Sequence, residues 1–371
     1  MAGSIYGTLF RVSTWGESHG KGIGVVIDGC PAGLSLDEED IQRYLDRRKP
    51  GQSRFTTARQ EGDQVEILSG VFEGKTTGTP IALEVRNTDQ RSHDYSNIMD
   101  VYRPGHADFT FDQKYGFRDY RGGGRSSGRE TIGRVAAGAV AAKLLERLGV
   151  RVFAYTSAIG PVSIDRSRME ISKMWENRLY MPDDIAAKEA ESYLEDMMAR
   201  RDSCGGVVEC VIEGLPAGVG EPVFDKLDAA LAKAMMSIGA VKGVEIGDGF
   251  EAAVSTGSQN NDSFCIDSAG HPAKRTNHSG GVLGGMSDSS PVVIRAAFKP
   301  TPSIAQPQST VDRSGKEREI EIHGRHDPII VPRAVVVAEA MAALTAADLL
   351  LMSMTSRLDR MEEFFESMRR K

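Results

Sequence analysis

The sequence predicts an α+β fold, a β-α-β sandwich with an internal pseudo-two-fold repeat, and three observations carry that expectation. Segments from the two ends of the chain match one another in the same order. Each matched set holds an apolar strand followed by a helical pattern, and each closes on a helix rich in alanine and other small residues. Helices of that kind pack closely on more than one side, which suits two similar layers with helices between sheets.

The first match sets "ESHGKGIGVVIDGCPAGL" (17–34) against "DSCGGVVECVIEGLPAGV" (202–219) without gaps. Both run from an acid-Ser-x-Gly start through an apolar strand into a Gly-x-Pro-Ala-Gly turn. Helical spacing follows in each, through Ile41, Tyr44 and Leu45 and through Leu227, Leu231 and Met235. The second match sets "SGVFEGKTTGTPIALEV" (69–85) against "GGVLGGMSDSSPVVIRA" (280–296), with a proline in register ahead of a strand. The third sets "RVAAGAVAAKLL" (134–145) against "EAMAALTAADLL" (339–350). One domain over 1–371 is expected, built of similar halves at about 1–154 and 201–352, with 155–200 inserted and a C-terminal tail. A site is expected where the halves meet, because clefts form at such junctions. His19 aligns with Cys204, so the imidazole belongs to one copy only. A side chain needed to fold both copies should recur in both; one needed for chemistry need not.

Composition narrows the class. The chain has 371 residues, 40% of them hydrophobic, which can fill a large core. A net charge of −7 excludes a general nucleic-acid binder, whose affinity comes from excess lysine and arginine. Positive clusters must therefore be local. The apolar run "VVVAEAMAALTAADLLLMSM" (335–354) carries Glu339 and Asp348, so it reads as a buried helix and not a membrane span. Four cysteines without a CxxC pair, and an N-terminus without signal-peptide layout, make a reducing cytoplasm the expected location.

Two histidines keep suggestive company. His19 lies in "GESHG", where flanking glycines let a ligand approach the backbone, and His106 lies in "YRPGHADFTF", beside Arg103 in a Pro-Gly turn. Imidazole suits proton transfer near neutral pH, and an adjacent arginine suits an anion. No HExxH occurs, and His323 with His326 has no second pair, so no metal is expected. Arginines form the stronger signal. "DRRKPGQSRFTTAR" supplies Arg47, Arg48, Arg54 and Arg59, and "RGGGRSSGRETIGR" (121–134) supplies Arg121, Arg125, Arg129 and Arg134. Their planar forked donors match phosphate and carboxylate, so a small polyanion is the expected ligand. Ser126, Ser127, Gly128 and Thr131 are placed to cap a helix beginning near Glu130, whose amides would add to an anion site. The glycine order is not that of a P-loop. "KPTPSI" (299–304) and "GRHDP" (324–328) put further cations, hydroxyls and an acid into proline-fixed turns.

Taken together, "GESHG", "RPGHAD", "DYRGGGRSSGRET", "GRVAAGA", "GLPAGVGEPVFDKLDAALAKAMMSI", "AVKGVEIGDGF", "FKPTPSI" and "GRHDP" resemble the signatures of the chorismate synthases. The resemblance runs from about Thr8 to Leu350. It implies the anti-1,4 elimination of phosphate from 5-enolpyruvylshikimate 3-phosphate to give chorismate, with reduced FMN required although no net redox change occurs. By the same resemblance His19 protonates the reduced flavin, His106 assists the departing phosphate and Asp327 acts in removing the ring proton. Arg48, Arg54, Arg103 and Arg129 are implied to hold substrate, Arg48 and Arg54 alternatively NADP. Arg125, Ser126, Ser127, Gly239, Ala240, Gly284, Lys299, Pro300, Thr301, Pro302, Ser303 and Arg325 are implied to hold FMN. Ser18 and Ser127 would support the neighbouring proton transfers. NADPH serves some members as the source of electrons; with no reductase domain evident, an external supply of reduced flavin is favoured. A homotetramer is the implied assembly. The chain departs from the family pattern at Gly128, usually alanine, at Gly239, and at Asp288-Ser289, where Asn-Gly or Ser-Gly is usual. An anion- or flavin-binding regulator is the reading outside enzymes, and it would need arginines but no placed acid and base.

Overall fold

Two five-stranded antiparallel sheets face each other across a helical layer in the computed structural model, which describes residues 3–52, 54–55, 62–87, 99–322 and 327–369. The N-terminal half runs β1 (Ile5–Tyr6), β2 (Arg11–Gly16), β3 (Gly22–Asp28), α1 (Glu38–Arg48), β4 (Val65–Ser69), the small hairpin β5 (Val71–Phe72) and β6 (Lys75–Thr76), and β7 (Ile81–Arg86). Next come α2 (Asp108–Tyr115) and α3 (Thr131–Arg147). The second half runs β8 (Arg151–Ile159), β9 (Val162–Ser163), α4 (Asp184–Ala199), β10 (Gly206–Glu213), α5 (Leu227–Met236) and β11 (Val241–Ile246). It continues through α6 (Gly257–Asn260), β12 (Phe264–Ile266), β13 (Pro272–Lys274), the hairpin β14 (Val282–Leu283) and β15 (Met286–Ser287), and β16 (Val292–Phe298). It closes with β17 (Gln308–Val311), β18 (Glu317–Ile320), α7 (Val331–Ser353) and α8 (Leu358–Arg369).

The sheet orders are β1-β2-β3-β7-β4 and β9-β8-β10-β16-β11. They correspond strand for strand, with β3 matching β10, β7 matching β16 and the two small hairpins matching each other, as the aligned sequences do. Backbone conformation repeats as well. Gly33 and Gly218 have φ of 91° and 93°, and Gly78 and Ser289 have 80° and 73°. A serine held in that left-handed region costs about 1 kcal/mol, which accounts physically for a glycine being usual there.

The boundary expected near 154 falls inside β8, which pairs along its length with β10 and so belongs to the second sheet. The first sheet's strands all precede α3, and the second sheet's strands all follow it. Segment 160–205 is then a connection within the second unit, between the strands equivalent to β2 and β3. It also explains why β8 is buried continuously and not alternately: Phe153 and Tyr155 pack with Met174 and Val211 in a small second core.

The middle layer follows from small residues. Helix α3 is buried almost all round, and it touches β3 on one side and α7 on the other. At the crossing, a Cβ on Gly138 would lie 2.3 Å from Ala340 Cβ, so only glycine permits this approach. The acids that interrupt the apolar run of α7 both find partners. Asp348 accepts the backbone N–H groups of Thr8, Leu9 and Phe10 at 2.7–2.9 Å. Glu339 accepts both prongs of Arg47 at 2.8 and 2.7 Å. α7 has mean hydropathy 1.9 over its most apolar stretch and is long enough to cross a membrane, but that stretch is 83% buried inside the protein.

Candidate active site

His19 sits in the turn between β2 and β3, and that turn is tied to the arginine-rich segment by Asn87, just past β7. Asn87 Nδ2 donates to Glu17 O at 3.1 Å and to Gly20 O at 2.8 Å, while its Oδ1 accepts from Arg129 Nε at 2.6 Å. Backbone of the 121–124 stretch lies against the imidazole. A Cβ on Gly122 would stand 2.3 Å from His19 Cδ2, so the glycine is required for this approach. Ser18 Oγ is buried beside it without a hydrogen-bond partner among the described residues. Asp119, hydrogen-bonded to Arg121 and near enough to feel His19, has its carboxyl held below the usual range.

Arg129 leads on to a buried charge group. Its Nη1 lies 3.0 Å from Asp63 Oδ1, and Arg48 Nη2 donates to Asp63 Oδ2. Arg48 and Asp63 are each 2% exposed. Burial alone would raise the Asp63 pKa, but the two guanidinium groups outweigh it and hold the carboxyl below its ordinary value. From the second half, Arg333 Nε donates to Arg48 O at 3.0 Å and its Nη1 to Asp327 Oδ2 at 2.6 Å. Burial lowers the Arg333 pKa, with Asp327 opposing that shift. A continuous chain of polar contacts thus joins the His19 turn to Asp327 across the junction of the halves.

His106 lies in a second group. Its Nε2 is 2.8 Å from Ser303 Oγ. The turn that carries it is fixed by Arg103, whose Nε and Nη2 both donate to Asp108 at 2.7 Å, and by Lys299 Nζ, which donates to Gly105 O at 2.8 Å. Asp108 is buried, which would raise its pKa, yet the bonds from Arg103 bring it below the ordinary value. Lys299 N donates to Ala240 O at 2.9 Å, and Ala240 holds φ 74°, so the 239–240 turn and the 299–303 segment form one surface. A pocket of 250 Å³ opens beside residues 300–304, lined among others by Gly105, Asp202, Ser203, Thr301, Pro302 and Gln308. Thr301 Oγ1 and Gln308 Nε2 are buried without hydrogen-bond partners among the described residues. The two groups approach through Pro328, next to Asp327: its carbonyl accepts from Cys204 N at 3.0 Å, and neighbouring Ser203 Oγ donates to Thr301 O at 2.6 Å.

Other expected residues are placed differently. Arg54 is 60% exposed and pairs with Glu195 of α4 at 2.6 Å, in none of these groups. Arg125 reaches back to β2, donating to Gly16 O at 2.9 Å and to Thr14 Oγ1 at 2.6 Å. Ser126 Oγ donates to Gly123 O at 2.6 Å, and Ser127 Oγ accepts from Arg129 N at 3.3 Å, capping the short turn that leads into α3. Gly239 is exposed at the turn with Ala240, and Gly284 (φ 60°) turns the β14–β15 hairpin. Arg325, like His323, His326 and Arg59, lies outside the described residues. Sequence reasoning missed Asp63, Asn87, Asp108 and Arg333. For Arg333 a signal existed, a lone cation in the apolar opening of α7. For Asp63 none did, since an acid in "EGDQVE" reads as surface.

A sequence profile described as chorismate synthase matches residues 10–351. The chain belongs to the chorismate synthase family. It is 65% identical over 368 residues to a chorismate synthase of Agathobacter rectalis, covering 99% of this chain and all of that one. With a chorismate synthase of Lachnoclostridium phytofermentans it shares 63% identity over 366 residues, 99% of this chain and all of the relative. Among solved structures, a crystal structure of chorismate synthase superposes with TM-score 0.75 at 33% identity, covering 98% of each chain. Membership in the chorismate synthase family makes the chain a shikimate-pathway lyase acting on a small molecule, and the expected sandwich fold is that of the solved relative.

Proposed function

We propose that the junction of the halves carries out the anti-1,4 elimination of phosphate from 5-enolpyruvylshikimate 3-phosphate, with reduced FMN bound beside the substrate. One observation carries the assignment of residues: the unbroken polar chain from the His19 turn through Asn87, Arg129, Asp63, Arg48 and Arg333 to Asp327.

Arg48 and Arg129 bind the anionic substrate, and their burial strengthens each contact. Arg103, clamped by Asp108, adds positive charge and fixes the turn of His106. The His106 imidazole holds a proton for the departing phosphate, oriented through Nε2 by Ser303 Oγ. Asp327 accepts the ring proton at a carboxylate oxygen, held in place by Arg333. His19 holds a proton on its ring against the glycine backbone of 121–124, with Ser18 alongside.

The residues present fit a flavin in two respects. Thr301 Oγ1 and Gln308 Nε2, of residues that line the pocket, are buried without hydrogen-bond partners among the described residues, and the 239–240 turn is bonded to the start of the 299–303 segment. Lys299, Pro300, Thr301, Pro302, Ser303, Gly239, Ala240, Gly284 and Arg325 would hold it; Arg125, Ser126 and Ser127 shape the adjoining loop. Reduced FMN, when bound, supplies the electronic chemistry for phosphate departure without net oxidation. Arg48 and Arg54 remain the candidate contacts for NADP, and an external source supplies the reduced flavin.

The working assembly is a homotetramer in the cytoplasm. Phe224 at 89% and Phe250 at 81% exposed are apolar surface that a lone chain leaves in water.

The assignment is tested by giving the anaerobic protein its phosphorylated enolpyruvyl substrate and reduced FMN. Chorismate is the expected product; no chorismate and no phosphate would contradict the reading. Turnover with NADPH and oxidised FMN alone would overturn the external supply.

A further inference from the structure

We infer that Asp63 is a positioning residue for this reaction, a fixed carboxylate that locks Arg48 and Arg129 into one rigid anion receptor. The inference rests on the assignment of those two arginines to the substrate.

Three observations point to it. Asp63 is buried, and both its carboxylate oxygens face guanidinium groups, Oδ2 to Arg48 and Oδ1 to Arg129. Its backbone holds φ 44°, a left-handed conformation unusual for a residue other than glycine, and strain of that kind persists where surrounding contacts enforce it. The enforcing contact is Gln42 of α1, whose Nε2 donates to Asp63 O at 3.3 Å while its Oε1 accepts from Val65 N at 3.1 Å. Asp63 is thus pinned through its main chain to α1, the helix that carries Arg48.

The arrangement does something a purely structural ion pair would not. Two buried guanidinium groups repel, and without ligand they would separate or draw in solvent. One carboxylate between them offsets one of the two charges and leaves the pair net cationic. Arg48 Nε stays buried with no hydrogen-bond partner among the described residues, so Asp63 does not use up the guanidinium's donors. Arg129 is anchored a second time, through Nε to Asn87. Substrate then meets arginines already set at a fixed spacing, and catalysis depends on such placement to within about 1 Å.

The consequence separates binding from turnover. Asp63→Asn keeps the shape but removes the charge, so attraction for the anionic substrate survives while the arginine geometry loosens. Asp63→Glu keeps the charge but displaces it by one methylene, which guards against a variant that fails to fold. Substrate affinity is measured by calorimetry with oxidised FMN, where no turnover occurs, and turnover anaerobically with reduced FMN, both per folded molecule. In both variants Kd is expected within threefold of the parent and kcat reduced tenfold or more. A kcat within twofold of the parent in Asp63→Glu would overturn the inference. So would a Kd weakened more than tenfold in both, which would make Asp63 a determinant of ground-state binding. A parent that makes no chorismate would sink the functional reading and the inference with it, whereas a fully active parent with an unchanged Asp63→Glu rate would sink the inference alone.

Discussion

Arg333 holds Asp327 through Nη1 at 2.6 Å and, in the same guanidinium, reaches Arg48 O at 3.0 Å through Nε. One planar side chain from the second half therefore fixes an acid of its own half relative to a helix of the first. Lysine cannot make that two-pronged contact. Arg333→Lys keeps the charge, and we expect it to lower kcat about tenfold or more with little change in flavin affinity. Steady-state kinetics under anaerobic conditions checks this, and an unchanged rate would detach Arg333 from Asp327's function.

His106 and Ser303 form the other proton-handling pair, 2.8 Å apart. Removing a positioned general acid costs about 10²–10⁴-fold. His106→Ala should fall in that range with FMN binding near the parent value, and Ser303→Ala, compared at saturating FMN, should lose less, since it orients the ring but holds no proton for the departing phosphate. A larger loss from Ser303→Ala than from His106→Ala would reverse the roles.

The helical layer makes a stability prediction. Because a Cβ at Gly138 would stand 2.3 Å from Ala340 Cβ, Gly138→Val must push α3 and α7 apart. Overpacking of this kind costs about 1–3 kcal/mol. Urea unfolding should show it as a lower midpoint at unchanged slope, and a parent-like midpoint would mean that the crossing is looser than described.

Two departures from the family pattern make opposite use of glycine. Ser289 holds φ 73° where the repeat has Gly78, so Ser289→Gly relieves about 1 kcal/mol of strain, which is offset by about 0.4–1 kcal/mol of added freedom in the unfolded chain, and should be neutral to stabilising by about 0.5 kcal/mol. A Cβ on Gly128 would meet no atom within 4 Å, and its φ lies outside the left-handed region, so Gly128→Ala should stabilise by about 0.4–1 kcal/mol. Thermal unfolding of each variant reads both; destabilisation by Ser289→Gly would show that serine makes a contact worth more than its strain.

The sandwich was legible because it was written twice. Strand pattern, left-handed turn positions and small-residue helices recur in order, and each recurrence constrains the other. The limit of the second unit was not legible, because β8 has no partner in the matched segments and the connection after it covers its outer face, so burial there is continuous and carries no alternation. Residues with a distinctive motif, His19, His106, Asp327 and most of the arginines, stood out by composition of their loops. Asp63 and Asn87 did not, since they act by holding other side chains and nothing in their neighbours marks them; Asp108 closes the quoted "RPGHAD", but its part, holding Arg103, shows only in the fold. Arg54 and Arg125 show that an arginine in a suggestive loop reads alike whether its protein partner lies on α4 or on β2.

In the proposed reaction one site removes both phosphate and a ring proton, and the flavin ends as it began. Phosphate, chorismate and the flavin spectrum followed in one anaerobic reaction test it most directly. One phosphate per chorismate is expected over many turnovers, with the flavin still reduced at the end. Phosphate without chorismate, or flavin oxidised in step with product, would contradict it.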